Sequence, residues 1–161
     1  MASTVADYAT RRADMLAFRG IFPQLQGREQ FLAQELVRPG DGGLLTAGIE
    51  KLAQRVLLIL LTKIGSRRFL PTEGTTFMLD AQAGRWRTPA DVSASFYAAR
   101  LDVSRQCRAI ETADDPADER WGSLDLLGVT LSGDKVAIRL SLVSAAGKQY
   151  TFLTPIPVSV K

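Results

Sequence analysis

The chain has 161 residues, 46% hydrophobic and 23% charged, which is ordinary for a folded protein and makes one domain the default, with room for an appended arm. Its net charge is only +3, and its basic residues are scattered or interleaved with acids, which excludes the dense basic footprint of a nucleic-acid binder. With no histidine and a single cysteine, Cys107, the sequence excludes a Ser-His-Asp triad, a Cys-His pair, an intrachain disulfide, His-liganded zinc and a multi-cysteine zinc site.

Residues 1–7 lack the basic-then-apolar layout of a signal peptide. No apolar run approaches the ~20 residues of a membrane span. The expectation is a cytoplasmic chain that uses no membrane and no cofactor. Residues 3–19 read as a first helix, with Val5, Tyr8, Ala9, Met15, Leu16 and Phe18 in a loose apolar stripe and Gly20 as its stop. Two readings stay open for it. It packs on the domain surface, or it is an arm that docks into a neighbouring chain, because termini weakly held by their own domain have that freedom. The expected division is an arm over 1–20 and a domain over 21–161. Residues 21–32 are irregular, 31–37 suit a short strand or a helix, and Pro39-Gly40-Asp41-Gly42-Gly43 is a turn. Those glycines are not followed by the Gly-Lys-Ser/Thr of a phosphate loop.

The chain is organised around residues 46–74. Ile49, Leu52, Ala53, Val56, Leu57, Leu60 and Ile64 recur at the three-and-four spacing of one helical face. Residues 56–61 are apolar on every side, so this helix must be covered all round, as the centre of the core or as a partner-binding element. Thr46 is placed to cap it, Glu50 suits its first turn and Lys63 its last, and Gly65 and Pro71 mark its end. A compact turn over 71–76 follows, then an extended stretch over 76–79. Thr88-Pro89 opens a second long helix running to about Glu111, with Val92, Phe96, Ala99, Val103, Cys107 and Ile110 on one face. Cys107 on that stripe reads as a small buried hydrophobe rather than a nucleophile.

After the acidic connector 112–119 the period changes from helical to two. Leu124, Leu126 and Val129 lead to a turn at 132–134. Val136, Ile138, Leu140 and Leu142 then alternate with Ala137, Arg139 and Ser141, as in a half-buried strand. A turn at 145–148 precedes a third strand with Tyr150, Phe152, Leu153, Ile156 and Val158. With Pro155 and Pro157 unable to donate to a central ladder, that strand should sit at an edge or leave the sheet. The fold class expected is α+β: N-terminal helices including one central apolar helix, a second long helix, then a C-terminal antiparallel three-stranded β-meander.

Acids are the only catalytic groups of note: Glu73, Asp80, Glu119 and Asp125. Two carboxylates ~5 to 9 Å apart can hydrolyse a glycoside, and sequence spacing does not give that separation. Arg67 and Arg68 after the central helix either grip a carboxylate or phosphate, or simply suit a helix C-terminus. Glu119-Arg120-Trp121 offers interface-type side chains, or a local ion pair beside a core tryptophan.

Gln54, then Leu60-Leu61-Thr62-Lys63 with Gly65-Ser66-Arg67, then Pro71, Gly74 and Thr75, resemble the contractile-tail baseplate wedge family. That family includes the sheath initiators of myophages, of contractile bacteriocins and of the type VI secretion baseplate. The resemblance spans residues 36–158 and also covers a long second helix and a three-stranded sheet. The family enters its sheet through a Glu-Pro-Arg signature. Here Glu119-Arg120 takes that place without the intervening proline, with Pro116 three residues before Glu119; Asp114-Asp115-Pro116 is the alternative alignment.

What the resemblance implies is structural work without catalysis or cofactor. It implies a virion protein, assembled in the host cytoplasm, that contacts baseplate wedge proteins, the tail sheath protein and the tail tube in several copies around a sixfold axis. No nucleic acid or membrane is expected among its partners. Strand addition to the sheet over 124–158 is the expected mode of sheath initiation, with Tyr150, Phe152 and Ile156 giving register and Glu119, Arg120, Trp121, Arg67 and Arg68 meeting partners. Some family members are described as lysozymes, so a peptidoglycan hydrolase of the baseplate is the competing expectation. A generic α+β scaffold or regulatory module is a further one.

Overall fold

The computed structural model describes residues 47–133 and 135–157. The expected first helix, the boundary at residue 20, the segment 31–37, the turn at 39–43, the Thr46 cap and Val158 lie outside the described residues. The elements run α1 (Ile49–Leu61), α2 (Phe77–Gln82), α3 (Pro89–Ile110), β1 (Trp121–Ser132), β2 (Lys135–Ser144) and β3 (Gln149–Pro157). Helices come first and an antiparallel meander in the order β1-β2-β3 comes second, the expected α+β arrangement.

The central apolar helix is enclosed on most of its circumference. Leu52, Ala53, Val56, Leu57, Ile59 and Leu60 are all buried, and so are the polar Lys51 and Gln54. Truncating one such leucine costs about 2 to 5 kcal/mol. The N-cap position is Gly48, whose φ of 62° and ψ of −141° favour glycine, and it makes no side-chain cap bond. At the other end the helix stops at Leu61, short of Lys63 and Ile64. The backbone there turns into paired bonds with the returning chain: Thr75 N–H donates to the Thr62 carbonyl at 2.9 Å, and Ile64 N–H to the Thr75 carbonyl at 3.0 Å.

Residues 76–79 are not extended. Phe77 and Ala81 are buried one turn apart in the six-residue α2, and Leu79 and Asp80 N–H both donate to the Thr76 carbonyl. A run this short carries too few turns for its period to be read from sequence. Phe77 meets Trp86 at 4.5 Å and Phe96 at 6.3 Å between ring centroids, which joins α2 to α3.

The second long helix begins as expected. Thr88 and Asp91 form a reciprocal capping box with Pro89 at the start. Val92, Phe96, Ala99, Val103 and Cys107 are fully buried along one face. Ile110, expected on the same face, is 52% exposed. The helix ends there, and the next residue, Glu111, turns inward instead to accept the Trp121 N–H.

Cross-strand pairs Leu124↔Leu142, Leu126↔Leu140, Val129↔Ile138 and Leu131↔Val136 line the core face of the sheet. On the other side of β2, Val136 pairs with Ile156, Leu140 with Phe152 and Leu142 with Tyr150. The alternation expected for β2 holds, except that Ser141 is buried, with its hydroxyl accepting from Gln149 Nε2 at 2.9 Å. The proline-bearing β3 is an edge strand, with Pro155 opposite Ala137 and Pro157 opposite Lys135.

Candidate functional site

The Glu119-Arg120-Trp121 segment is a junction of three elements. Glu119 is 2% exposed. Its Oε1 accepts the Gly48 N–H at 3.0 Å, and its Oε2 meets Lys51 Nζ at 3.0 Å. A carboxylate therefore sits at the start of α1, where the free N–H groups and the helix dipole favour negative charge. It comes from 71 residues away in sequence rather than from a local cap. The same connector grips the β2–β3 turn: Ala145 N–H donates to the Arg120 carbonyl, Ala146 N–H to the Ala117 carbonyl, and Lys148 Nζ meets Asp118 at 3.0 Å. Glu111 at the end of α3 closes the junction on Trp121 N–H. Trp121 is a core residue and Arg120 is half-buried.

Phe152 and Ile156 are core residues as well, and Tyr150 is half-buried against that core beside Phe152. Glu119, Trp121, Phe152 and Ile156 thus face the interior, and Arg120 and Tyr150 are partly covered. Arg67 and Arg68 are exposed. Arg67 pairs with Glu73 at 2.7 Å, and the Arg68 guanidinium stands 5.9 Å from the Phe69 ring centroid.

The four acids singled out in the sequence are dispersed. Glu73 pairs with Arg67, Asp80 with Arg85 at 2.7 Å and with Ser95 Oγ at 2.8 Å, Glu119 with Lys51, and Asp125 with Arg100 at 2.8 Å. Each is engaged by a different cation. Burial, against a smaller opposing effect of the Arg55 charge, pushes the Cys107 thiol up to about 12, which keeps it protonated as expected of a buried hydrophobe. Hydrogen bonding from the Thr112 backbone holds Asp115 in the connector below the usual carboxylate range.

The sequence reading missed four residues that organise these surfaces. Lys51 was signalled by being a cation on a helix that had to be covered all round. Gln106 clamps the loop after α1: its Oε1 accepts Gly74 N–H at 2.9 Å and its Nε2 donates to the Gly74 carbonyl at 2.8 Å. Phe69 and Leu70 stand exposed on that loop. Among the described residues no helix is long and apolar enough to cross a membrane.

No family model and no curated relative matches the chain. Among solved structures it is similar to a "putative tail lysozyme" from Geobacter sulfurreducens, at 16% identity and a TM-score of 0.44, with 73% of this chain and 96% of that one covered. A likeness this distant carries no residue role across. It does correct one expectation. The similar protein bears the name of a hydrolase, so the expectation that this chain has no enzymatic activity is withdrawn.

Proposed function

We propose that the chain is a component of a contractile-tail baseplate that binds wedge proteins and starts sheath assembly by offering the free edge of β3 for strand addition. The tail setting, the wedge, sheath and tube partners, the sixfold copies and the virion location rest on the sequence resemblance over residues 36–158. The observation that supports the mechanism is that the two edges of the sheet are not equivalent.

On β1, backbone groups are already taken by side chains. Glu111 accepts the Trp121 N–H, and Arg100 donates to the Leu124 carbonyl at 3.2 Å. Register shifts at Trp121/Ser123 and Leu126/Gly128 add irregularity. Both devices blunt an edge against pairing. Among the described residues β3 pairs with β2 alone. Pro155 and Pro157 lie two apart, hence on one side of the strand, and without an N–H they suit the side facing away from β2. Thr151 and Leu153 share that side and supply N–H donors. An added strand would pair along 149–153 and stop at the prolines. Its backbone bonds would go to Thr151 and Leu153, while Tyr150 and Phe152, on the core face of the same stretch, would flank its side chains and set register.

Truncation after Gly147 would strip Phe152 and Ile156 from the core and so test folding rather than the edge. Thr151→Pro is the sharper variant, since it removes one outward N–H from an exposed position. Purified protein is mixed with tail tube and sheath subunits and followed by electron microscopy, with peptidoglycan release assayed on the same preparations. The wild type should seed ordered sheath, and Thr151→Pro should not, while still binding wedge proteins. Equal seeding by Thr151→Pro sinks the β3-edge mechanism. Peptidoglycan release without sheath growth replaces the assembly reading with a hydrolase.

A further inference from the structure

We infer a second docking element, distinct from the β3 edge: the loop between α1 and α2 is a pre-ordered knob, with Phe69 at its tip, that inserts into an apolar pocket on an acidic protein surface. Phe69 is 88% exposed and Leu70 54%. Among the described residues only the Arg68 guanidinium is recorded against this ring, and adjoining exposed apolar side chains mark interaction sites.

The loop is rigidly built despite its exposure. Gly65 N–H donates across it to the Pro71 carbonyl at 3.1 Å, and Leu70 N–H donates to the Arg67 carbonyl at 3.3 Å. Glu73 N–H reaches the Leu70 carbonyl at 3.1 Å, and its carboxylate holds Arg67 at 2.7 Å. At the base, Gln106 of α3 clamps Gly74 through both its backbone groups. An anchor ordered before binding loses less conformational freedom on docking, which favours affinity.

Charge selects the partner. Lys63, Arg67 and Arg68 lie in this loop and are all exposed, against one carboxylate, Glu73. Phe69 beside Arg68 combines an apolar anchor with a residue type enriched at the energetic centres of interfaces. The complementary surface is an apolar pocket rimmed by aspartate and glutamate. An anionic membrane is the weaker fit, because each cation contributes only about fivefold there and the Glu73 carboxylate opposes it.

The test needs no prior identification of the partner. A random peptide display library is panned against the full-length protein. Selected peptides should combine carboxylates with aliphatic or aromatic residues. Phe69→Ala should weaken them about thirtyfold, the size of a hot-spot truncation. Arg68→Glu should weaken them comparably, and added salt should weaken them further. Arg108→Glu, an exposed position on α3, should leave them unchanged. Phe69→Ala should keep the wild-type melting temperature, since the side chain is 88% exposed. The inference is overturned if the selected peptides lack acids, if their binding ignores Phe69→Ala, or if the loop binds phosphatidylglycerol vesicles more tightly than the peptides. Sheath seeding plays no part in this assay, so its outcome is independent of the β3-edge mechanism.

Discussion

Lys51 Nζ and Glu119 Oε2 stand 3.0 Å apart inside the fold, both nearly enclosed, although 68 residues separate them in sequence. The pair joins the start of the central helix to the connector that precedes the sheet. Removing one partner of such a pair strands a charge in a place that excludes water. Glu119→Ala should therefore lower stability by about 3 to 5 kcal/mol, read as a fall in the urea midpoint. Lys51→Met with Glu119→Leu should recover most of that loss, since the pair together is replaceable by apolar packing. A Glu119→Ala loss under about 1 kcal/mol would show that other contacts hold the start of α1. Charge reversal at Glu119 thus disturbs the fold before it can report on a partner. Arg120, half-buried, is the member of that signature to vary when partner binding is the question.

The same pair explains what sequence could and could not disclose. Period and caps were legible. Thr88-Pro89 set the start of α3, and alternation from Val136 to Leu142 set β2, because both signals act over neighbouring residues. Two prolines left β3 either an edge or an exit from the sheet, and the structure has it at the edge. The cap of α1 was not, since the carboxylate that fills it arrives through tertiary packing and no local pattern encodes it. The burial of Phe152 and Ile156 follows from alternation along β3. The Phe69 knob was hidden because an isolated Phe-Leu between arginines and a proline looks the same in sequence whether buried or exposed.

Gly74 is required by space as well as by conformation. Its φ is 97°, and a Cβ there would lie 2.4 Å from the Thr62 carbonyl oxygen. Gly65 also has positive φ, 78°, yet a Cβ there meets nothing within 4 Å. Gly65→Ala should cost about 1 kcal/mol, the strain of left-handed backbone alone. Gly74→Ala should cost more, about 2 to 4 kcal/mol, because the Thr62–Thr75 bond and the Gln106 clamp must shift as well. Equal midpoints for the two variants would show that the loop base relaxes freely.

Cys107 gives the fold an alkaline limit with a definite sign. Its thiol titrates from 9.0 to about 12 on burial, so between those values the folded chain keeps a proton that the unfolded chain releases. This contribution is fully present below pH 9.0 and is lost as pH rises toward 12. Cys107→Ala should show a shallower fall in urea midpoint across the alkaline range than the wild type. At about pH 8.5, near the ordinary thiol value, iodoacetamide should label Cys107 only as fast as the chain unfolds. Rapid labelling of the folded protein would mean that the site opens locally.

The guards on β1 make the last prediction. Arg100 holds both the Leu124 carbonyl and Asp125, and Glu111 holds Trp121 N–H. The Arg100–Asp125 pair is partly exposed and contributes about 1 kcal/mol at most. Its value lies instead in occupying an edge that would otherwise pair with another chain. Arg100→Ala with Glu111→Ala should unfold at a temperature a few degrees lower, yet associate with itself at concentrations where the wild type does not. Sedimentation velocity across a dilution series reads this directly. Adding Thr151→Pro to that double variant separates the two edges. Association that survives the proline uses β1, as the guard argument requires, whereas association that vanishes with it uses β3 and leaves Arg100 and Glu111 as ordinary packing contacts.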